Sequence, residues 1–596
     1  MRLRRRQPPS HDAGDFLADV SLFAQLPASA RADLARGARW VYLPAGSYLF
    51  REGDPADDLA VVWSGRLEVL RQIDPKGHEQ EVVGTFARGA TVGELSLLTS
   101  EPRSASVRAL RDTELLVVNA AVFERVMLRE PGLGLAVARA LAQRLRHGYG
   151  SLKHPDTPHT IAIIPFDPGL PIQRFLDRFI QTVAQYGGVV VAEEADDNGM
   201  PDGRPTGITH GDSAERREQR WAARLDRLED DFSFVLLVSR HPTVDLAWTR
   251  FCLRSADRVL FMLRAGAPPA AVAKDDRALG RDLVFVSSAL KTEQIAPARR
   301  HLQPRALHHL PDDGGFDAAV DRIARRMTKH AIGLVFSGGG ARGLAHIGVI
   351  ERLQDAGIEI DRAGGCSAGA MAAAMVAAGW SADEILEICR RELVDHKPFS
   401  DFTVPREGLI KGKRVSGMLE RIFGDVCIEE LARPLFVVSA DLASGELTVH
   451  REGLLRDAVL ASMSIPGLMP PVRLDGRLLV DGGLLDNFPV DVMRELDEGP
   501  VIGIDVMRQF PLAEAERGPA SKGLKDAIGP GIISTLARAM VLGGRSRAEQ
   551  NRADADLLIT PDVHNIGLFD FDRIDDATEA GRRAADEALA CGLPWE

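Results

Sequence analysis

The chain has 596 residues, of which 45% are hydrophobic and 27% charged, and its formal net charge at pH 7 is −12. These fractions are those of an ordinary soluble globular protein, and the length predicts about three or four domains. The charge is spread along the chain, which excludes the basic footprint of a nucleic-acid-binding protein, so we expect no nucleic acid partner.

The sequence predicts a reducing compartment and no membrane span. The five cysteines are scattered, odd in number and without metal-ligand spacing, so we expect neither a disulfide framework nor a metal site. Residues 2–6 are basic, but no apolar core follows them, which excludes a signal peptide. No apolar run reaches the roughly 18 residues of a transmembrane helix. We therefore predict a cytoplasmic protein with a disordered basic tail at 1–15, and leave open a peripheral contact with anionic lipid.

Residues 16–152 form the first predicted domain. Short alternating strand-like runs are separated by turns containing Gly and Pro, a spacing typical of an antiparallel β-barrel or sandwich. A short helical region precedes the strands, and a helix is predicted at 123–147.

Residues 92–107 of this domain have the sequence VGELSLLTSEPRSASV. The segment resembles the phosphate-binding cassette of cyclic-nucleotide-binding domains. The resemblance implies that Arg103 offers a fork of donors to the cyclic phosphate and that Glu94 accepts the ribose 2′-hydroxyl. The other implied contacts are backbone N–H groups and one hydroxyl, at Gly93, Leu95, Ser96 and Ser104.

The cassette implies cAMP or cGMP as an effector of the protein. Ser104 is neither the Ala nor the Thr that would distinguish the two, so the base stays open. Many domains of this type keep the barrel without the ligand, and a structural role is the alternative. A transcription factor of the cyclic-nucleotide-receptor type would need a helix-turn-helix after the barrel. The linker at 153–159 contains two prolines instead.

Residues 160–327 alternate strand-like and helical segments. This alternation predicts a small parallel α/β domain connecting the two ends of the chain. No strand runs into a G-x-x-x-x-G-K-[ST] phosphate loop, so we expect no nucleoside triphosphate hydrolysis. The pair His308 and His309 has no acidic or Cys partner nearby in sequence, which favours a structural role over a metal site.

The sequence LVFSGGGARGLAH at 334–346 joins a buried parallel strand to a glycine run. Gly338, Gly339 and Gly340 let backbone N–H groups approach a bound group without a Cβ in the way. The segment after them has helical spacing, so the N–H groups would lie at a helix N-terminus, which favours negative charge. Alone, such a run would also suit a nucleotide phosphate.

Two further motifs predict acyl transfer in the C-terminal domain, residues 328–596. The sequence GCSAG at 365–369 is a G-x-S-x-G nucleophile elbow, in which a tight strand-to-helix turn exposes Ser367. The sequence DGG at 481–483 follows an apolar run at a strand end, where Asp481 can accept the Ser hydroxyl proton. A donor loop and an exposed Ser are the minimum for acyl transfer.

These three motifs, in this order, resemble the patatin-like phospholipase family over about residues 332–561. The resemblance implies a Ser–Asp dyad in which Ser367 is the nucleophile and Asp481 the base. It also implies an oxyanion loop at Gly338, Gly339 and Gly340 with Arg342 beside it. The remaining glycines of the motifs are Gly343, Gly365, Gly369, Gly482 and Gly483.

Two other polar residues of this domain are not assigned to the reaction. His346 follows the glycine loop on the predicted helix, where its position indicates packing rather than the third place of a triad. Asp441 ends a predicted strand and is interpreted as a turn or cap residue.

The sequence thus predicts a multidomain chain: an N-terminal antiparallel β-barrel with flanking helices, an α/β connecting domain and a patatin-like α/β hydrolase domain. Segments 248–257 and 305–309 resemble the region that precedes this hydrolase in neuropathy target esterase and its bacterial relatives. That resemblance implies a serine esterase acting on phospholipid or lysophospholipid, with no required cofactor. The acyl length, headgroup and oligomeric state stay open. The alternative is a nucleotide sensor whose hydrolase-like domain recruits lipids or partners.

Overall fold

The computed structural model describes residues 4–5, 13–20, 22–24, 26–44, 46–72, 80–86, 89–94, 101–130, 159–167, 169–194, 214–240, 246–266, 281–302, 304–312, 314–404, 408–507 and 544–595. The chain divides into two compact units, residues 1–284 with 297–306 and residues 285–296 with 307–596.

Two antiparallel sheets form the N-terminal part of the first unit. The strands of one sheet are, in order, Arg4–Arg5, Ala38–Leu43, Thr113–Asn119, Asp58–Ser64 and Thr91–Val92. The strands of the other are Tyr48–Phe50, Ser106–Ala109, Leu67–Gln72 and Gln80–Phe86. The helices of this part are Ala13–Asp19, Ala28–Gly37 and Ala120–Arg129.

Alternation along the strand Thr113–Asn119 explains why the sheets and helices form layers. Leu115 and Val117 pack between the two sheets, whereas Leu116 and Val118 pack with the residues of the flanking helices. Successive side chains of a strand point to opposite faces, so one strand contributes to both cores.

Two short pieces of the segment expected to be a disordered tail, residues 4–5 and 13–15, are described by the structure and have regular secondary structure. Arg4 pairs with Tyr42 in an antiparallel strand pair, and a helix begins at Ala13. The strand Ala38–Leu43 would otherwise present unpaired backbone groups along this edge, which gives the tail a place to pair. The helix expected at 123–147 spans Ala120–Arg129. The rest of it, and most of the expected linker, lie outside the described residues.

A parallel α/β layer completes the first unit. Its strands lie in the order Val189–Ala192, Phe234–Val238, His159–Pro165 and Arg258–Arg264, and their pairings are parallel. Its helices are Ile172–Val183, Ala214–Asp231 and Leu246–Ser255. The chain passes between the two units inside three elements, which are the strand Arg281–Val286, the helix Thr292–Leu302 and the strand Ala306–Leu310.

A buried ion-pair network joins the two-sheet part to the α/β layer inside the first unit. Arg66 Nη1 lies 2.7 Å from Asp257 Oδ2, and Arg111 donates to both carboxylate oxygens of Glu229 at 2.6 and 2.7 Å. The side chains of Arg66 and Arg111 are almost fully buried. Removing one partner of such a network would leave a buried charge uncompensated and is therefore expected to destabilise the first unit.

A mixed sheet forms the centre of the second unit. Its strands lie in the order Val472–Leu474, Arg477–Asp481, Leu435–Asp441, Ile360–Cys366, Ile332–Phe336, Val501–Ile504 and Leu557–Ile559, with Leu447–His450 paired to Leu435–Asp441. The helices are Phe316–Met327, Ala345–Asp355, Ala368–Ala378, Ala382–Cys389, Lys413–Phe423, Leu455–Met463, Val490–Arg494, Arg545–Asp554 and Ile574–Leu589. Five neighbouring strands run parallel, so their carboxyl ends meet at one edge, where α/β sheets place their sites.

Candidate active site

Ser367 lies on a strained turn between the strand Ile360–Cys366 and the helix Ala368–Ala378. Its backbone has φ 53° and ψ −121°, a conformation that L-residues rarely adopt outside sites that require it. Small neighbours allow the turn, since a Cβ on Gly369 would lie 2.4 Å from the Phe336 carbonyl oxygen. The geometry is that of a nucleophile elbow.

Asp481 is the hydrogen-bond partner of the Ser367 hydroxyl. The Ser367 Oγ donates to Asp481 Oδ2 at 2.7 Å, and the Gly483 N–H donates to Asp481 Oδ1 at 2.8 Å. Burial raises the pKa of Asp481 to about 6, against these two hydrogen bonds, which favour its charged form. A carboxylate with this pKa is deprotonated at neutral pH and basic enough to accept a hydroxyl proton.

The glycine loop lies beside the nucleophile, but not all of its N–H groups are free. The Gly338 N–H donates to the Asn487 carbonyl at 3.0 Å, and the Ala341 N–H donates to the Leu568 carbonyl at 2.8 Å. Between them, no acceptor for the N–H groups of Gly339 and Gly340 occurs among the described contacts. A Cβ on Gly338 would lie 3.1 Å from the Ser367 Cβ, so the loop adjoins the elbow.

Gly340 requires glycine for two reasons. Its φ is +57°, and a Cβ would lie 2.3 Å from the Leu568 carbonyl oxygen. A 3₁₀ turn, Gly340–Leu344, follows directly and leads into the helix Ala345–Asp355. The N–H groups of this loop therefore lie at a helix N-terminus, which favours a developing negative charge.

Arg342 supports the wall next to the loop. Its Nε donates to the Ile566 carbonyl at 2.7 Å, and its Nη1 lies 3.7 Å from Met507 Sδ. The side chain is almost fully buried, and desolvation lowers its pKa. These contacts fix the segment that carries Leu568, the acceptor of the Ala341 N–H.

His346 and Asp441 make structural contacts. The His346 Nε2 donates to the Ser337 carbonyl at 2.9 Å, and burial lowers the pKa of the ring to about 4. Asp441 accepts from the Ala443 N–H at 3.0 Å and from the Ser444 hydroxyl at 3.1 Å, as a turn residue does.

Two residues beside the site were not identified from the sequence. The Ser462 hydroxyl accepts from the Ser367 N–H at 2.8 Å, which fixes the elbow backbone. The Asn487 Nδ2 donates to the Gly338 carbonyl at 3.1 Å, so Asn487 binds both polar groups of that glycine. Ser462 begins the kinked apolar segment SMSIPG, whose sequence indicated a position near the active site but no contact for Ser462, and the only sequence signal for Asn487 was its position four residues after DGG.

An apolar cavity extends from the nucleophile. The cavity and the open solvent at its mouth together comprise about 1140 Å³. Gly339 and Ser367 line one end, and the helices Ala368–Ala378 and Ala382–Cys389 contribute Met371, Met375, Ile385 and Cys389 to its walls. A lining of this kind suits an alkyl chain and gives it no polar partner.

The predicted nucleotide cassette has its arginine engaged by protein groups. Arg103 Nη2 donates to the Asp58 carboxylate at 3.0 Å and to the Asp58 carbonyl at 2.7 Å, while Nη1 donates to the Gly93 carbonyl at 3.0 Å. Glu94 is buried and Ser104 is exposed. Leu95 and Ser96 lie outside the described residues.

Neither a membrane span nor a metal cluster occurs in the described part of the chain. No helix there combines the length and apolar character needed to cross a bilayer. No three His, Cys, Asp or Glu side chains there gather as a metal site would need.

Two family models match this chain, one in its N-terminal part and one in its C-terminal part. The patatin-like phospholipase family model matches residues 334–494, and the cyclic nucleotide-binding domain model matches residues 40–130. An uncharacterized NTE family protein of Mycobacterium tuberculosis is 33% identical over 608 aligned residues, which cover 99% of each chain. This chain belongs to the NTE family. The multidomain architecture predicted from sequence is confirmed, and the chain is a hydrolase of the patatin-like phospholipase type.

More distant relatives are longer than this chain. The neuropathy target esterase of Drosophila melanogaster is 28% identical over 79% of this chain and 36% of its own length. A lysophospholipase of Coccidioides immitis is 26% identical over 92% of this chain and 40% of its own.

A crystal structure of the regulatory domain of Toxoplasma gondii PKA with cAMP is 25% identical over 22% of this chain and 49% of that chain, with a TM-score of 0.21.

Proposed function

We propose that the second unit hydrolyses an acyl ester of a phospholipid or lysophospholipid through a dyad of Ser367 and Asp481. The observation that carries the proposal is the 2.7 Å hydrogen bond from the Ser367 hydroxyl to Asp481 Oδ2, next to two N–H groups with no described acceptor. A nucleophile, its base and oxyanion donors are the parts that acyl transfer requires.

The reaction runs in two halves. Asp481 takes the proton of the Ser367 hydroxyl as its oxygen attacks the ester carbonyl. The N–H groups of Gly339 and Gly340 donate to the tetrahedral oxyanion. Asp481 then returns the proton to the leaving alcohol, and an acyl ester on Ser367 remains. Water, activated by the same carboxylate, hydrolyses this ester and restores the free hydroxyl.

The substrate class follows from the cavity and from the relatives. The cavity walls that lead away from Ser367 are apolar, so they can hold an acyl chain while the ester lies at the dyad. The Coccidioides immitis relative is named a lysophospholipase, and the family model that matches residues 334–494 is that of patatin-like phospholipases. Lipid mass spectrometry of products from mixed membrane lipids would identify the headgroup and acyl length.

Substitution of the dyad tests this function. We expect Ser367→Ala to lower kcat by at least about 10³-fold, because the nucleophile is lost, and Asp481→Asn by at least about 10²-fold, because the base is lost. The measurement is hydrolysis of a chromogenic acyl ester by the purified protein.

Two control variants accompany the test. Asp441→Asn replaces a carboxylate that accepts from the Ala443 and Leu478 N–H groups and the Ser444 hydroxyl but has no described contact with the Ser367 or Asp481 side chain, and it should retain activity. His346→Ala should retain most activity in folded protein, because a dyad has no histidine. A loss for His346→Ala as deep as for Ser367→Ala would indicate a triad, and wild-type turnover by folded Ser367→Ala would refute the assignment.

A cyclic nucleotide is the second proposed ligand, as an effector of the hydrolase. The match of residues 40–130 to the cyclic nucleotide-binding domain supports it, as do the retained Glu94 and Arg103. The rival function is a sensor whose hydrolase-like unit only recruits lipids or partners. Burst release from a chromogenic ester at one equivalent per active site would exclude the rival, since recruitment needs no covalent intermediate.

A further inference from the structure

Large hydrophobic side chains are exposed at few places in the described residues, and most of those places are close together. Phe402, Val404 and Phe569 are 69%, 79% and 38% exposed, whereas Leu128 and Leu442 lie elsewhere in the chain. Single exposed hydrophobic residues are ordinary, but a group of them marks an interaction surface.

Phe569 connects this group to the apolar cavity. Phe569 lines the cavity, and its ring meets that of Phe399 edge-on at 6.1 Å, while Phe399 stacks on Phe571 at 5.4 Å. All three rings line the cavity, so they connect its interior to the surface. Phe402 follows Phe399 by three residues and is itself exposed.

Backbone pairing holds Phe402, two residues before Val404, against the rest of the second unit. Phe402 forms an antiparallel bridge with Ile410, and the Ile410 N–H donates to the Leu468 carbonyl at 2.9 Å. The Leu468 N–H in turn donates at 3.1 Å to the carbonyl of Ile465, a cavity residue. The exposed side chains are therefore presented from a backbone that is fixed to the cavity wall.

The same segment is cationic in a chain of net charge −12. Its described residues, 397–404 and 408–414, contain four basic side chains and one acidic one, Asp401. The basic residues are exposed, and are Lys397, Lys411, Lys413 and Arg414. No ion pair of the three lysines occurs among the described contacts of the segment. Exposed aromatic residues flanked by unpaired cations are the composition of a surface that binds an anionic bilayer.

We propose that Phe402, Val404 and Phe569, with the flanking lysines, dock the second unit on an anionic lipid surface and bring the cavity mouth to the lipid. The proposal rests on the proposed lipid substrate. The apolar side chains enter the boundary between headgroups and acyl chains, and the ammonium groups meet the lipid phosphates. A lipid then reaches Ser367 along a continuous apolar path instead of crossing water.

Vesicle binding tests the docking separately from hydrolysis. Every protein carries Ser367→Ala so that the vesicles stay intact, and cosedimentation is measured with phosphatidylglycerol–phosphatidylcholine vesicles and with phosphatidylcholine vesicles. We expect Phe402→Ser with Val404→Ser to weaken binding to the anionic vesicles by at least about tenfold. Lys411→Gln with Lys413→Gln should weaken it by about fivefold per lysine on anionic vesicles and little on neutral ones. Leu128→Ser, which removes an equally exposed residue of the first unit, is the matched control and should not change it.

Activity assays with native Ser367 separate a failed docking surface from a failed enzyme. Phe402→Ser with Val404→Ser should lower the rate on vesicle lipid and leave the rate on a soluble short-chain ester unchanged. Equal vesicle binding by this variant and its parent overturns the proposal, whatever the esterase assay gives. A change in oligomeric state by size-exclusion chromatography, with unchanged vesicle binding, also overturns it and makes the surface an interface between copies of the chain. Loss of the short-chain rate in Ser367→Ala alone concerns the dyad and not this surface.

Discussion

Asp481 sets the expected pH dependence of the reaction. Only its charged form can take the Ser367 proton, and burial raises its pKa to about 6. Activity should therefore be low where the carboxyl is protonated, rise with pH through about 6 and level off above it. The pH profile of kcat/KM on a soluble ester reports this pKa of the free enzyme.

A thiol provides a control on that assignment. The Cys366 Sγ lies 3.7 Å from Asp481 Oδ1. Burial has the largest effect on the pKa of Asp481 and raises it. The hydrogen bonds from Ser367, Gly483 and Cys366 lower this pKa, and the bond from the thiol has the smallest effect of the three. Cys366→Ala should leave the nucleophile in place and move the acidic limb to slightly higher pH. An acidic limb that does not move in Cys366→Ala would contradict Asp481 as the base. A wild-type profile that is flat between about pH 5 and 8, the range in which His and carboxyl groups with raised pKa values titrate, would contradict it as well.

At the scale of the elements, the donor loop and the segment after DGG are joined by Asn487. Its carbonyl accepts the Gly338 N–H and its Nδ2 donates to the Gly338 carbonyl at 3.1 Å, across 149 residues of sequence. Gly338 is therefore held on both sides, next to the two N–H groups that we propose as oxyanion donors. Preorganised donors of this kind act in the transition state and add little to substrate binding.

Asn487 substitutions test this role in positioning the donors. We expect Asn487→Ala to lower kcat by between about 10-fold and about 10²-fold, less than complete loss of an oxyanion donor, and to change KM much less. Asn487→Asp keeps the size of the side chain but replaces the amide donor by an acceptor facing the Gly338 carbonyl, so it should be impaired as well. Activity retained in Asn487→Asp but lost in Asn487→Ala would indicate packing only, and thermal unfolding of both variants checks the fold.

How well each feature of the site could be predicted depends on how far apart its residues lie along the chain. The elbow around Ser367 could be predicted because its geometry depends on five consecutive residues. Asp481 could be paired with it only through the family resemblance of the DGG motif, because its strand Arg477–Asp481 is antiparallel to Leu435–Asp441, which separates it from the Ser367 strand in the sheet. The partnership of Asn487 with Gly338 leaves no local pattern, so the sequence assigned all three glycines as donors although the Gly338 N–H is engaged.

At the scale of the whole chain, regulation would have to pass from the first unit to the second. Inside the first unit, the pairs Arg66–Asp257 and Arg111–Glu229 hold the two-sheet part and the α/β layer together. The chain crosses between the units three times, after residues 284, 296 and 306. A displacement of the α/β layer would therefore reach the second unit through three covalent connections.

Asp58 determines how a cyclic nucleotide would start such a change. Its carboxylate accepts from Arg103 Nη2 at 3.0 Å, so a cyclic phosphate that binds this guanidinium would compete with it. We expect Asp58→Asn to tighten nucleotide binding by roughly tenfold, because a neutral amide competes less well for the guanidinium. Arg103→Ala should weaken binding strongly, and Asp33→Asn, at a partly exposed carboxylate of the same unit that pairs with Arg36, should leave it unchanged. Calorimetry with cAMP and with cGMP measures each affinity.

The last prediction is that the bound nucleotide changes the rate at Ser367. A ligand shifts a rate only by its different affinity for two arrangements of the protein, and allosteric systems commonly reach about 5–150-fold. If displacement of Asp58 from Arg103 is the trigger, then Asp58→Asn, which weakens that contact in the absence of ligand, should move the basal esterase rate toward the nucleotide-bound value. The nucleotide should then change the rate of this variant less than that of the parent, although it binds more tightly. An esterase assay of both proteins across a nucleotide titration gives the two quantities together. If the nucleotide binds but changes the esterase rate of neither protein, the domain keeps only a role in localisation or assembly. If calorimetry detects no heat of binding with either nucleotide at millimolar concentration, the domain is a structural part of the first unit.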